Sequence, residues 1–472
     1  MARVRLIAIL GLVSLVGAAC SGGTASRGPL GAAGAAPTTA RTDYAFPAAP
    51  AVPTGPLDPA VDDAQHRFVA ALADGDRDTA ALETIAASGD ARLAWFISDI
   101  LRFVQEGSLE VDLVEAFVRL TGVDPVVDPT FRRSSWQSIT NHLIAWNLPA
   151  APGYRELKGS LFLKIEPRWA PFFADEDAAI DWRLVSWGGV LIDDRPPGSR
   201  ELCQRGCIPA LDDPALTPAN DGGWYPDERI VFGLAVGGDV VALPRNIMEV
   251  HEMVNMTVGG RRIGLPYCTL CGSAQAYFTD SVPAGVETPV LRTSGLLARS
   301  NKVMYDLLTG SVFDTFTGRA LSGPLQDAGI VLDQATVVVT TWGEWKAAHP
   351  ETRIVARDGG IGRLYPEDPL GGRDDNGPIF PIGDADPRLP VQARVVGVIG
   401  PDGSPVAFPA DQARAALAEG APVVVGDVEL FADGGGLRAR LRGGAELPAH
   451  EAFWFAWSQF HPDTRLWSPL GP

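Results

Sequence analysis

The chain has 472 residues, a formal net charge of −18 and a pI near 4.8, with 57 acidic residues against 39 basic ones. That balance excludes a nucleic-acid binder, and it would be repelled by anionic lipid.

The first residues read as an export signal. Arg3 and Arg5 form a basic start, Leu6 to Val16 form a short apolar run, and Gly17-Ala18-Ala19 leads into Cys20. This resembles a bacterial lipobox with Cys20 as the lipidated residue, although Gly17 stands where Leu is usual. Cleavage at an ordinary signal-peptidase site and a retained anchor are the alternatives. The expected location is extracytoplasmic, lipid-anchored to the bacterial membrane, and the expected partner is that membrane through the lipid on Cys20. Residues 1–20 form the signal, and residues 21–60, mostly Ala, Gly, Pro and Thr, read as a flexible tether.

Residues 61–180 change to helical periodicity. "VDDAQHRFVAALADG", "DTAALETIAASGD", "ARLAWFISDILRFVQEG" and "LEVDLVEAFVRLTG" each carry apolar residues at helical spacing and end at or next to Gly, and "SWQSITNHLIAW" continues the pattern. His66 and His142 read as surface or satisfied helix residues. Beyond about residue 180, apolar alternation broken by Gly-Gly, Gly-Asp and Thr-Gly turns predicts antiparallel sheet. The expected fold class is α+β, a helical N-terminal layer followed by a β-rich, internally duplicated domain.

The duplication rests on a repeat. Trp342-x-x-Trp345-x-x-x-His349-Pro350 recurs as Trp454-x-x-Trp457-x-x-x-His461-Pro462, and residues 229–244 are echoed by 394–409. The modules are placed at 181–380 and at 381–472, the second shorter and without cysteines. His349 and His461, at helix ends before Pro, read as caps or core hydrogen-bonding groups.

Cysteine chemistry therefore belongs to the first module. Beyond Cys20 there are four cysteines, Cys203, Cys207, Cys268 and Cys271, and an oxidising compartment favours their pairing. The local pairing Cys203–Cys207 with Cys268–Cys271 is preferred among three connectivities. Just upstream, "LPRNIMEVHEMVNMTVGG" reads as a helix from Pro244 to the Gly259-Gly260 turn, with His251 and Asn255 on one face and Glu252 adjacent. His-Glu-x-x-Asn lacks the second histidine of a zinc protease. A helix followed by a strand into Cys268 could bring His251 to the thiols as a base, and a buried, hydrogen-bonded His251 is the alternative.

Three readings of Cys268-x-x-Cys271 stay open: a dithiol/disulfide couple, structural disulfides, and a metal site. The metal would be held by the four cysteines, or by Cys268, Cys271 and His251. The sequence requires no cofactor. A non-enzymatic binding or scaffold lipoprotein is the rival to a thiol–disulfide oxidoreductase, and neither reading names a redox or protein partner in the envelope.

The motifs His251-Glu252-x-x-Asn255, Tyr267-Cys268-x-Leu270-Cys271-Gly272, Ser294-Gly295-Leu296, Ser300-Asn301-x-Val303-Met304-Tyr305-Asp306, Gly323-Pro324-Leu325 and Trp342 to Pro350 resemble the prokaryotic family known as domain of unknown function 3179, over roughly residues 200–467. Some members of that family carry selenocysteine at the cysteine motif, so the resemblance implies redox chemistry with Cys268, Cys271, His251, Glu252 and Asn255 as its residues. Two features depart from the family pattern: Phe313-Asp314 where a Trp-Ser pair is common, and the additional Cys203/Cys207 pair.

Overall fold

The computed structural model describes residues 44–373 and 377–469. Cys20 and the export signal lie outside the described residues. Among the described residues, no helix is long and apolar enough to cross a membrane.

The helical layer forms where its caps and periodicity demand. Asp58 caps helix Pro59–Ala73 by accepting from the Ala60 amide, with Pro at the first position, where a missing N–H costs nothing. Asp78 caps Thr79–Ala87 and Ser134 caps Ser135–Ala145, while Gly122 closes Ser108–Thr121 in the left-handed conformation. With Ala94–Leu101 these are the five helices expected from the periodicity, and Tyr154–Ile165 adds another. Their apolar stripes meet around Phe68, Trp95, Phe96 and Phe117, all buried.

One expectation is corrected at the start of this layer. The tether does not run to residue 60, because from Tyr44 the chain is docked on the helices. The Tyr44 hydroxyl lies 2.7 Å from His142 Nε2, Trp146 Nε1 donates to the Pro47 carbonyl, and Arg92 donates to the Gly55 carbonyl. An extended Ala/Pro segment has no core of its own, but its carbonyls and two aromatic rings find partners on a finished surface. His142 is the satisfied helix residue expected, its Nδ1 taken by the Ser138 carbonyl.

Beyond this layer the described residues form five small sheets, mostly antiparallel. In the first, Val185–Trp187, Leu291–Ala298, Asn301–Asp306 and Val312–Asp314 pair in that order, and the helical core continues onto it through Leu296, Val303, Tyr305 and Val312. A buried ion pair, Lys158 Nζ to Asp99 Oδ1 at 2.7 Å, sits within the layer, and the same ammonium reaches the Val185 carbonyl on the sheet.

The same topology then occurs twice. Ile230–Val236 and Asp239–Pro244 form a hairpin, Val338–Thr341 adds antiparallel to the first strand, and Arg353–Val355 adds parallel to the second across helix Trp342–Ala348. Arg394–Ile399 and Pro405–Pro409 form the second hairpin, with Ala449–Phe453 and Arg465–Leu466 in the matching places across helix Trp454–Phe460. The repeated residues do the same work in each. Trp345 Nε1 donates to Thr352 Oγ1 at 3.0 Å, and Trp457 Nε1 donates to Thr464 Oγ1 at 2.9 Å. His349 and His461 each lie 4.2 Å from the preceding tryptophan ring, centroid to centroid.

Each indole occupies space that a side chain on the facing strand would need. A Cβ at Gly233 would fall 2.6 Å from Trp345, and one at Gly397 would fall 2.0 Å from Trp457. Both rings are buried and hydrogen-bonded, so they cannot yield cheaply. Gly233→Ala and Gly397→Ala are each expected to destabilise by about 1–3 kcal/mol, the cost of overpacking a filled core. Urea unfolding of the single variants checks this, and two neutral results would contradict the packing described.

Candidate thiol site

The segment before the cysteines is shorter in helix than its sequence predicts. Helix Arg245–His251 ends at Glu252, whose φ of 50° is left-handed, and Met253–Val258 continues as a strand. The run Met253-Val254-Asn255-Met256-Thr257-Val258 is half β-branched and pairs antiparallel with Arg261–Cys268. Asn255 therefore does not share a helical face with His251. It sits on the strand, its amide donating to Asp212 Oδ1 and to the Leu291 carbonyl, each at 3.0 Å.

His251 is buried with both ring nitrogens engaged. Nδ1–H donates to the Pro209 carbonyl at 2.6 Å, and Nε2 accepts from the Tyr365 hydroxyl at 2.7 Å. A carbonyl can only accept, so the tautomer is set. Neither nitrogen is left for a thiol, and His251 is not the base of the cysteine pair. Burial, with Arg363 and Arg195 adding to it, pulls its pKa down to about 3.

The thiols meet a different group of residues. The Arg261–Cys268 strand gives way to a single 3₁₀ turn, Thr269–Cys271, and Gly272 turns the chain back at φ 58° so that Ser273–Ala274 pairs with Tyr267–Cys268. Cys268 and Cys271 are unbridged and face one acceptor, the Ser300 carbonyl, at 3.8 and 3.3 Å. That carbonyl is aimed by a two-residue turn, Arg299-Ser300, joining the paired residues Ala298 and Asn301. Both turn residues have positive φ, 48° and 68°, a conformation that non-glycine residues adopt at a cost and that concentrates at functional sites.

The charge beside the thiols is Glu252 with Lys302. Their side chains pair at 2.7 Å with the ammonium almost fully buried, and Lys302 also donates to the Glu252 carbonyl at 2.8 Å. The Glu252 carboxylate lies 3.5 Å from the Thr269 hydroxyl, and Arg373 reaches that same hydroxyl. Burial raises the Cys271 pKa well above its usual value, Cys268 and the negative charge of Glu252 raise it further, and the Lys302 backbone amide opposes them. Around the pair, Ser273 Oγ, Ser300 Oγ and Asn301 Oδ1 are buried without a hydrogen-bond partner among the described residues.

The second module closes the site. Cys268 and Cys271 belong to one apolar cluster with Val391, Val395, Phe455 and Trp457, and a Cβ at Gly272 would strike the Phe453 ring at 2.9 Å. His450 lies between the amides of Gln334 and Gln275, 2.9 and 3.4 Å from its two nitrogens, and so ties the module to the strand that follows the cysteines. The cysteines are only 2% and 0% exposed, whereas a reactive thiol is ordinarily partly exposed.

Of the preferred pairing, Cys203–Cys207 is present as a disulfide and Cys268–Cys271 is not. The metal reading loses its ligands. Among the described residues the single candidate group is Asp193, Cys203 and Cys207, whose sulfurs are bonded to each other, and the four cysteines do not converge with one another or with His251. Lys302 and Ser300 went unnoticed as site residues in the sequence. One signal was there: a lysine inside an apolar strand of a chain that uses arginine for nearly all its cations.

Residues 205–433 match the family model described as "Protein of unknown function (DUF3179)". That stretch is a domain of this family. The match begins after the helical layer and ends before Ala449–Phe453 and helix Trp454–Phe460, so Phe453, Phe455 and Trp457 over the thiols lie outside it, while Val391 and Val395 lie within it. No curated protein and no solved structure matches the chain.

Neutral His251 makes stability depend on pH. The unfolded imidazole takes up its proton near 6.5 and the folded one not until about 3, so its contribution is complete above about pH 6.5 and is lost as pH falls toward 3. At about pH 5 the loss is on the order of 2 kcal/mol from this residue. Urea midpoints between about pH 7 and 5 should fall for the wild type and fall less for His251→Gln; equal slopes would contradict the buried neutral imidazole.

Proposed function

We propose that this chain is a lipid-tethered protein of the bacterial envelope whose Cys268/Cys271 pair cycles between dithiol and disulfide. The observation that carries this reading is the asymmetry of the pair. Cys271 is the more buried, holds its proton and points it at Ser300, which suits a resolving thiol, while Cys268 at the strand end suits the attacking one. Glu252, hydrogen-bonded to Thr269 beside Cys268, takes the place assigned to His251 as proton acceptor, and Lys302 steadies its charge.

The step balances with a partner's disulfide as oxidant. The Cys268 thiolate attacks one sulfur of that disulfide, and the partner's other sulfur leaves as a thiolate. Cys271 then displaces the first partner sulfur to form Cys268–Cys271, delivering two electrons to the partner, with the two thiol protons completing its dithiol. Exchange requires the second module to withdraw from Gly272. Selenocysteine at this motif in relatives supports redox work, as does the polar shell of unpaired atoms around the thiols. We also read the two matching sheets as copies of one unit, the second adapted to cover the site of the first.

A non-enzymatic binding or scaffold protein is the second reading, favoured by the near-complete burial of both thiols. Trapping the thiols of the full chain by mass across glutathione buffers separates the two. A working couple should titrate between about −120 and −270 mV, and Glu252→Gln should shift the pH dependence of its alkylation. A pair that never changes state, or one that stays oxidised below about −300 mV, would leave the scaffold reading standing.

A further inference from the structure

The helical layer carries a cleft that the thiol chemistry does not use. Arg102 follows helix Ala94–Leu101 as its capping residue, and its guanidinium lies among three aromatic rings, 4.6 Å from the Trp136 centroid, 4.9 Å from Trp187 and 5.5 Å from Phe380. Nε donates to the Trp187 carbonyl at 2.7 Å. No carboxylate among the described residues pairs with Arg102, and burial alone lowers its pKa to about 10. Aromatic faces offset part of the cost of withdrawing a cation from water, but they supply no counter-charge.

Arg102 lines a cleft of ≈ 330 Å³ with Gln105, Arg133, Ser134 and Gln137, and its terminal nitrogens have no hydrogen-bond partner among the described residues. Arg133 is exposed and likewise has no acidic partner among the described residues. Ser134 caps the 11-residue helix Ser135–Ala145, so the first turn of that helix, with its N–H groups and the positive end of its dipole, forms one wall. Nearby Glu110 is engaged by the Ser135 hydroxyl at 2.6 Å, and neither residue lines the cleft. Two guanidiniums without an acid between them run against the composition of a chain with 57 acids and 39 bases. Such a fork of donors over a helix N-terminus matches the planar or tetrahedral oxygens of an anion.

We propose that this cleft binds a small anion through a phosphate or carboxylate group, clamped by Arg102 and Arg133 and seated on the first turn of helix Ser135–Ala145. Gln105 and Gln137 would contact the remainder of the molecule. Neither the thiol pair nor its proposed redox role enters this inference.

Calorimetric titration of the full chain in mild detergent, with inorganic phosphate in one arm and succinate in the other, tests it at fixed ionic strength. At least one arm should saturate below about 10 mM and weaken with added sodium chloride. Arg133→Ala should lower that affinity about tenfold, the loss of one charge-assisted contact. Arg102→Met should abolish measurable binding while leaving the melting temperature near that of the wild type, because it removes an unpaired charge and keeps apolar bulk among the rings. Should that variant fail to fold, Arg102→Lys serves instead; it keeps the charge but not the fork and should still weaken binding at least tenfold. Saturation by phosphate only, or by succinate only, assigns the ligand class. Absence of saturation in both arms, or affinity indifferent to Arg133→Ala and to the Arg102 variant, would overturn the proposal.

Discussion

An ammonium group cannot sit in the interior without a counter-charge, and the thiol site is arranged around that constraint. Lys302 comes from the hairpin that ends at Arg299-Ser300, and Glu252 comes from the junction where helix Arg245–His251 becomes a strand. Their contact at 2.7 Å joins those two elements. Once joined, the Ser300 carbonyl faces both thiols, and the Glu252 carbonyl receives the Tyr267 amide of the cysteine strand. Removing one partner would leave the other charge buried alone, typically a loss of about 3–5 kcal/mol. The ion pair is thus a geometric device, and the charge of Glu252 adds to the burial that raises the Cys271 pKa.

The same logic recurs elsewhere in the fold. Asp99 with Lys158 anchors the helical layer, and the Lys158 ammonium spans to the sheet beside it. Arg292, buried in strand Leu291–Ala298, pairs with Asp212 at 2.6 Å, and Asn255 completes that group through the same carboxylate. Asn255 is therefore a framework residue of the motif and Glu252 a site residue, although they lie three positions apart. Glu252 ends the helix and Asn255 lies on the strand that follows, so the two enter different surroundings.

The two matching sheets divide their labour. The first carries the helix that leads to Glu252, and the second presents Phe453 and Trp457 to the thiols. Burial of the dithiol under the second sheet restricts access to both sulfurs and raises the pKa of Cys271. Selection on such an arrangement would act on the contacts of Gly272 and Gln275 with the second module as much as on the cysteines.

Local patterns settled a good part of this protein in advance. The helices of the N-terminal layer follow from apolar spacing and from Asp, Ser and Gly at their ends, forces that act within a few residues. The repeated Trp-x-x-Trp-x-x-x-His-Pro units were legible because each makes its own contacts, indole to threonine seven residues on. The cysteine pair and its family motif were visible as well. The company those cysteines keep was not. Glu252 and Lys302 are fifty residues apart, and Gly272 meets Phe453 across a still greater distance in the chain. Such meetings depend on strand register, in which a shift of one residue sends every side chain to the other face. The run after His251 could have continued as helix, and sheet pairing made it strand, which placed His251 against Pro209 and Tyr365 instead of the thiols. Sequence alone determined which residues could do chemistry; tertiary pairing decided which of them share a site, because buried charges and thiols are matched through space and not along the chain.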